Sequence, residues 1–386
     1  MSKFDWLSEE LRELEKASLL RKPLFIDSPQ GPVVKIQGSE KVLFCSNNYL
    51  NLANHPRVAR AAIEAIRESG YGSGASRLIS GSMRWHSRLE AKITEMFGKQ
   101  AAIIFSSGFI ANEALIRTIP KKNDLLLLDK LDHASIIDAA ISSEADFRTF
   151  RRREYRKIER LLADAKFDRK FIITESIFSM DGDFAELKKL VELKKKYNAF
   201  LIVDEAHAFG CMGENGAGLA EELGLIGDVD IFVGTLSKAV GASGGFVAGD
   251  KCLCDYLINK ARAFIYTTAS APSNCAAAAE AIEVIKNEPA RREKLRNNAE
   301  YLRSRLEQMG LDIGKSQSHV VPVIIGDNQK TLDISASLFE AGYMAVAIRP
   351  PTVAAGTARL RISVQSEHTK EQIDGLCNAL GKILSR

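Results

Sequence analysis

The sequence predicts an α/β protein with an open, mostly parallel sheet covered by helices, followed by a smaller α+β region. Three observations predict it. Six short apolar runs, at 101–105, 125–128, 171–174, 200–203, 231–234 and 245–248, lack the polar alternation of a half-exposed strand. Such runs are expected where a strand is buried on both faces. Helix-length amphipathic segments separate the runs, which is the rhythm of a doubly wound sheet. Beyond Pro289 the order changes to a charged helix at 291–308, a strand at 320–325, a helix at 332–340, strands at 345–348 and 358–364, and a last helix at 370–384.

Ahead of the sheet, leucines and small residues at helical spacing predict a helix over 8–21, ended by Pro23. The runs 33–36 and 42–45 predict a hairpin around Gly38. Residues 56–69 predict an amphipathic helix with Pro56 in its first turn. A glycine-rich loop follows at 70–76. The expected divisions are an N-terminal helix and hairpin segment at 1–45, a large domain at 46–288 and a small C-terminal domain at 289–386.

A length of 386 residues agrees with about two domains. With 46% hydrophobic and 26% charged residues, the chain can bury a large core and is not a disordered sequence. A net charge of +4 is too mild to indicate nucleic acid, but suits a small polyanion such as a phosphate or coenzyme A. The six cysteines are scattered, and Cys252-Leu253-Cys254 has the wrong spacing for a zinc or redox motif. Free thiols in a reducing compartment, and no metal site, are expected. No apolar stretch approaches the roughly 20 residues that span a bilayer. The start, Met1-Ser2-Lys3-Phe4-Asp5-Trp6, lacks the basic-then-apolar form of a signal peptide. The expectation is a cytoplasmic protein with no membrane association.

The chemistry gathers where apolar runs end. The run 200–203 ends in Asp204-Glu205-Ala206-His207, and the run 231–233 leads into Gly234-Thr235-Leu236-Ser237-Lys238-Ala239. Open α/β sheets place their sites at the carboxyl ends of strands. An acid, an imidazole and a lysine amine delivered there are what a pyridoxal phosphate (PLP) enzyme needs. Asp204 could keep the cofactor's ring nitrogen protonated, and His207 could bond its phenolic oxygen. Lys238 must be partly desolvated to be neutral and nucleophilic. Thr235 and Ser237 offer hydroxyls for a phosphate, and Gly241, Gly244 and Gly245 let a flat cofactor or a second subunit approach. The plainer readings are a capping Asp beside a surface His, and a helicase-type acidic box. The second needs a Gly-x-x-x-x-Gly-Lys-Ser/Thr loop, which the sequence lacks.

Weaker signals surround these. Residues 106–112, Ser-Ser-Gly-Phe-Ile-Ala-Asn, follow a strand and open a helix, either as an ordinary turn or as a phosphate site. His133 could stack on a cofactor ring or simply enter a helix. Arg359 and Arg361 would share one strand face. One could grip a carboxylate bidentately; otherwise they and Arg349 are surface arginines on an edge strand. The densest basic run holds Arg151, Arg152, Arg153, Arg156 and Lys157. It reads as a solvated face, with docking of coenzyme A phosphates as the lesser reading.

Together these segments resemble the α-oxoamine synthase family of fold-type I PLP enzymes. The likeness runs from Asn47-Asn48-Tyr49-Leu50 to Arg361. Between them lie Gly72-Ser73-Gly74, Ser76-Arg77-Leu78, Ser107-Gly108-Phe109, Asp132-His133-Ala134-Ser135, Phe178-Ser179-Met180-Asp181-Gly182-Asp183, the Asp204 box and Thr235-Leu236-Ser237-Lys238-Ala239. The string Ala347-Ile348-Arg349-Pro350-Pro351-Thr352-Val353, with Gly356 to Arg361, is similar to the biotin-pathway branch. The family's glycine next to Asn-x-Tyr-Leu is Asn51 here, and its common His-Asn-Asp is Arg152-Arg153-Glu154.

The resemblance implies a large domain built on a seven-stranded, mostly parallel sheet, with PLP as cofactor. It implies Lys238 as Schiff-base lysine and later acid/base, and Asp204 on the pyridine nitrogen. Ser179 and His207 would contact the ring substituents, and His133 would stack on the ring. Gly108, Phe109 and Thr235 would hold the phosphate region. Arg361 and Asn47 would hold an amino-acid carboxylate, and Arg21, Arg349 and Thr352 the acyl substrate. Thr267 and Thr268 would reach the phosphate of a neighbouring subunit, so a homodimer with shared active sites is implied. The implied reaction condenses L-alanine with pimeloyl-CoA or pimeloyl-acyl carrier protein, with loss of carbon dioxide; glycine with acetyl-CoA is the alternative.

Overall fold

A computed structural model describes residues 3–385; Met1 and Ser2, at the start of the segment read for a signal peptide, and Arg386 lie outside the described residues. The chain forms two compact units. One comprises Asn47–Ser179 and Asp183–Leu295; the other comprises residues up to Ser46, Met180–Gly182, and residues from Arg296 onward.

The larger unit is built on a seven-stranded sheet. Its order is Ala101–Phe105, Gly245–Gly249, Ile231–Thr235, Phe200–Asp204, Lys170–Glu175, Leu125–Asp129, Asp146–Phe150. Only Gly245–Gly249 runs against the rest, pairing antiparallel with both neighbours. The other pairings are parallel, so six strands end on the same edge. The apolar runs explain the arrangement. Ile202, Ile231, Val233 and Val247 pack into one cluster with Leu115, Ile136 and Phe264. Phe232 and Phe246 instead join Phe97 in an aromatic cluster, with ring centroids 4.7 and 5.4 Å from Phe97. Alternate residues of one apolar run thus fill two cores, and burial on both faces needs no polar alternation.

The seventh strand, Asp146–Phe150, is the one the apolar runs do not reveal. It lies at the sheet edge and alternates exposed with half-buried positions before Phe150. The helix over 56–69 is found as Pro56–Ser69, with Pro56 in its first turn. The glycine-rich loop ends in a π-helical turn, Arg77–Gly81.

The smaller unit holds two three-stranded sheets. Val33–Ile36 and Ser39–Leu43 form the expected hairpin, and Tyr343–Met344 joins it in parallel. Val320–Gly326, Ala358–Ser363 and Val346–Ile348 form the second, with Ala358–Ser363 in the middle. The edge-strand reading of Arg359 and Arg361 is therefore corrected. Both lie on a central strand and are buried.

The N-terminal helix is also displaced from its expected bounds. It spans Asp5–Lys16 rather than 8–21. Ser18 has φ of 58°, a left-handed conformation that ends a helix, so the chain leaves it before Pro23. Phe4, Trp6, Leu7, Leu11 and Leu14 are all exposed in the single chain. Among the described residues, no helix is long and apolar enough to cross a membrane.

Candidate active site

The carboxyl edge of the large sheet collects the polar side chains that the sequence singles out. Phe200–Asp204 ends in Asp204, and Ile231–Thr235 ends three residues before Lys238. The Lys238 amine stands 2.8 Å from His207 Nε2, and His207 Nδ1 stands 2.8 Å from the Tyr49 hydroxyl. That hydroxyl donates to Asn47 Oδ1 at 2.9 Å. His207 and Tyr49 are buried. The four side chains form one line: Lys238, His207, Tyr49, Asn47. The acidic box divides. Glu205 turns away, accepting from Ser176 Oγ and from the backbone N–H groups of Leu219 and Ala220, so it caps a short helix at Leu219–Glu222.

A second line begins at Asp204. Its Oδ1 accepts from the Ala206 N–H at 2.8 Å, and its Oδ2 accepts from Asn112 Nδ2 at 2.8 Å. Asn112 also donates to Ser135 Oγ at 3.1 Å, and that hydroxyl lies 2.8 Å from His133 Nδ1. The Ser135 N–H donates to the same nitrogen. His133 Nδ1 is therefore an acceptor, which leaves its proton on Nε2. Desolvation lowers the His133 pKa, with Asp204 acting upward and Lys238 downward. The imidazole is thus neutral at pH 7. It is exposed on its open side, and its ring meets that of Phe109 edge-on at 6.3 Å.

Two features of this region were not legible as site residues. Asn112 belongs to the quoted 106–112 segment, but nothing in the string ties its amide to Asp204. Its Oδ1 is buried without a hydrogen-bond partner. Glu175 ends the neighbouring strand directly opposite Asp204 in register. It is fully buried, and its Oε2 has no partner. Burial, then the Asp204 carboxylate, push the Glu175 carboxyl up to about 8, with Lys238 opposing. It is protonated at pH 7, so Asp204 does not face a second negative charge.

The 106–112 segment opens the helix Gly108–Thr118, with Ser107 Oγ accepting from the Ile110 N–H. First-turn N–H groups not used inside a helix are ready partners for an anion. Thr235 and Ser237 present hydroxyls 2.8 Å apart beside it. A methyl group at Gly245 would sit 2.5 Å from the Gly108 nitrogen. Gly245 therefore admits the start of this helix, rather than a cofactor or a second subunit as its sequence position suggested. An open helix start flanked by two hydroxyls, a buried acid, a neutral imidazole and an amine occur within one unit. The buried, unpartnered Asn112 Oδ1 and the open His133 ring make a polar setting that suits PLP. Ser179 is buried at the last position of this unit before Met180. Thr267 and Thr268 line a separate pocket with Arg77, His86, Ser106 and Phe264.

Comparison with known proteins decides the family. The model for aminotransferase class I and II matches residues 39–380. The chain is 44% identical to the 8-amino-7-oxononanoate synthase of Thermoanaerobacter pseudethanolicus, covering 98% of this chain and 96% of that one. It is 43% identical to the enzyme of the same name from Petrotoga mobilis, over 99% and 98% of the two chains. The chain belongs to the α-oxoamine synthase family of fold-type I PLP enzymes. Solved structures agree. Serine palmitoyltransferase from S. paucimobilis with bound PLP and myriocin superposes with a TM-score of 0.93 at 32% identity, covering 99% of this chain and 97% of that one. The 8-amino-7-oxononanoate synthase of Francisella tularensis gives 0.78 at 29% identity, over 89% and 98%.

The remaining candidates of this family's site lie in the smaller unit and form their own cluster. Arg349 is buried and donates to the Ser18 carbonyl. Arg21 is exposed and donates to the Pro350 carbonyl at 3.5 Å. Burial, then the nearby Arg21, lower the Arg349 pKa. Thr352 is exposed, its N–H bonded to the Arg349 carbonyl. Arg359 is paired with Asp181 and bonded to the Thr357 carbonyl at 3.0 Å, so its charge is already matched. Arg361 is buried on the same strand.

Proposed function

We propose that this chain condenses L-alanine with pimeloyl-CoA or pimeloyl-acyl carrier protein, releasing carbon dioxide and the carrier thiol and forming 8-amino-7-oxononanoate for biotin synthesis. The observation that carries this reading is the Lys238 amine held 2.8 Å from buried His207, in a chain 44% identical to an 8-amino-7-oxononanoate synthase.

PLP would supply an electron sink for a carbanion at the alanine α-carbon. The chain's own residues do the rest. Asn112 and the Ala206 N–H hold the two oxygens of Asp204 in place, and burial pushes the carboxyl of Glu175 beside it toward its neutral form. An anionic acid keeps a pyridine nitrogen protonated. Lys238 Nζ removes and later returns the α-proton, oriented by His207. His133 offers an open ring face, and Phe109 backs its edge. The first turn of Gly108–Thr118 with Thr235 binds the phosphate; Ser179 and His207 contact the ring substituents. Arg361 offers a buried guanidinium to the amino-acid carboxylate. Arg349 and Arg21 suit the far carboxylate of a pimeloyl chain.

We assign the active form to a homodimer. Thr267 and Thr268 lie in a pocket apart from Lys238, as residues given to a partner's phosphate would. The helix Asp5–Lys16 leaves Trp6, Leu11 and Leu14 exposed in the single chain, more apolar surface than one helix normally shows to water. The six free cysteines suit a reducing compartment such as the cytoplasm.

The test is thiol release by the PLP-loaded protein with two substrate pairs, alanine with pimeloyl-CoA and glycine with acetyl-CoA. Faster release with the first supports the assignment. Faster release with the second replaces it with glycine C-acetyltransfer.

A further inference from the structure

The line from Lys238 to Asn47 passes through a tyrosine to which the chemistry above gives no task. Tyr49 is fully buried, and its neighbours in sequence, Asn48 and Leu50, are buried with it. A buried phenol normally finds one partner for its hydroxyl. This one has two, Asn47 Oδ1 at 2.9 Å and His207 Nδ1 at 2.8 Å. A hydroxyl carries one proton and two lone pairs. Its proton goes to Asn47 Oδ1, an oxygen that can only accept. The side facing His207 is then a lone pair, and His207 Nδ1 must be the donor. In a neutral imidazole the other nitrogen is left as an acceptor, and that nitrogen faces the Lys238 amine at 2.8 Å.

We infer that Tyr49 is a positioning residue that sets the tautomer of His207, placing the proton on Nδ1 and the acceptor nitrogen against Lys238. The inference rests on the reading of Lys238 and His207 as the reacting amine and its neighbour. Nothing else in the string from Asn47 to Leu50 requires a phenol: phenylalanine would fill the same apolar space. What the hydroxyl adds is direction. With it, His207 presents a lone pair on Nε2 to the Lys238 amine. Without it, Nδ1 loses its oxygen and the ring can take either tautomer, or rotate, so that an N–H faces the amine in part of the molecules. A misdirected amine lowers the rate of proton transfer more than it weakens substrate binding.

The experiment follows the imidazole nitrogens directly. Wild-type protein labelled with nitrogen-15 in histidine is recorded without PLP, and His207 is assigned by the signals lost in His207→Asn. The expected wild-type pattern is a protonated Nδ1 and a bare Nε2. In Tyr49→Phe the His207 signals move toward an average of the two tautomers. With PLP, alanine and pimeloyl-CoA, Tyr49→Phe should lower kcat roughly tenfold, the loss of one hydrogen bond, with KM for alanine unchanged. A wild-type spectrum with the proton on Nε2 overturns the inference even if Tyr49→Phe does not fold. So does a folded Tyr49→Phe protein with an unaltered His207 pattern and kcat. A wild-type protein that releases no thiol with either substrate pair removes the proposed function instead, whatever the tautomer.

Discussion

Along residues 148–157 the chain carries its densest positive charge, and the folded protein matches most of that charge with its own acids. Arg148 faces Asp146, Arg153 faces Glu186, and Lys157 faces Glu154. Arg152 pairs with Asp183 and lies over the Phe178 ring at 3.9 Å. The arginines around Pro350 are sparser, yet Arg349 is buried with no carboxylate partner among the described residues. It bonds a backbone carbonyl, its Nε is unpartnered, and a second arginine stands near it. Charge density along a sequence therefore says little about anion binding. A guanidinium that is desolvated and unmatched attracts a carboxylate, whereas one already paired on the surface contributes little. The lesser reading of the basic run, docking of coenzyme A phosphates, is weakened at Arg148, Arg152, Arg153 and Lys157, whose charges meet acids.

Lys238 is a third case, its amine lying 2.8 Å from the buried His207 imidazole. Lys238→Ala should therefore have the largest effect: thiol release falls by roughly 1,000-fold or more, while the protein still folds and binds PLP non-covalently. Retained turnover would end the assignment of the amine.

The next test addresses the unmatched arginine. Arg349→Gln should lower kcat/KM for pimeloyl-CoA by about 10- to 100-fold, the worth of a charge-assisted hydrogen bond. It should have much less effect on an acyl-CoA of equal length without the terminal carboxylate. Equal losses with both substrates would show that Arg349 only holds the local chain at Ser18.

The acids differ as the cations do. Asp183 and Glu186 neutralise the basic run, whereas Glu175 is protonated in the fold, with a pKa raised from 4.5 to about 8. Between those values the unfolded chain has lost a proton that the native one keeps. Stability is then full below about pH 4.5 and declines as pH rises through about 8. Glu175→Gln should flatten that decline in the cofactor-free protein, by on the order of several kcal/mol across the window. Chemical denaturation at several pH values reads it; an unchanged slope would mean that Glu175 is ionised in the native state.

The smallest effect belongs to the matched surface. Arg148→Ala with Arg153→Ala should leave KM for pimeloyl-CoA within about twofold, since exposed pairs are worth little. A larger rise in KM would restore the coenzyme A reading and break the contrast between the two regions.

The comparison also marks how far the string could be read. Unbroken apolar runs gave six of the seven strands of the large sheet, because burial on both faces leaves a purely local mark. Asp146–Phe150 escaped because an edge strand carries polar residues, here Asp146, Arg148 and Thr149, within a basic stretch. The N-terminal helix was misplaced because its end depends on a left-handed Ser18, which no periodicity signals.

Asp204, His207 and Lys238 were visible because each follows a strand signal, and strands end where an open sheet reacts. The fold class, the family and these three positions were determined by the sequence. The tertiary structure decided what each of them meets. Asn112 reaches Asp204 across 92 positions, Tyr49 reaches His207 across 158, and Glu175 meets Asp204 only through strand register. Such pairings depend on the order of strands in the sheet. That order is set by long-range packing, and no residue type or local spacing records it.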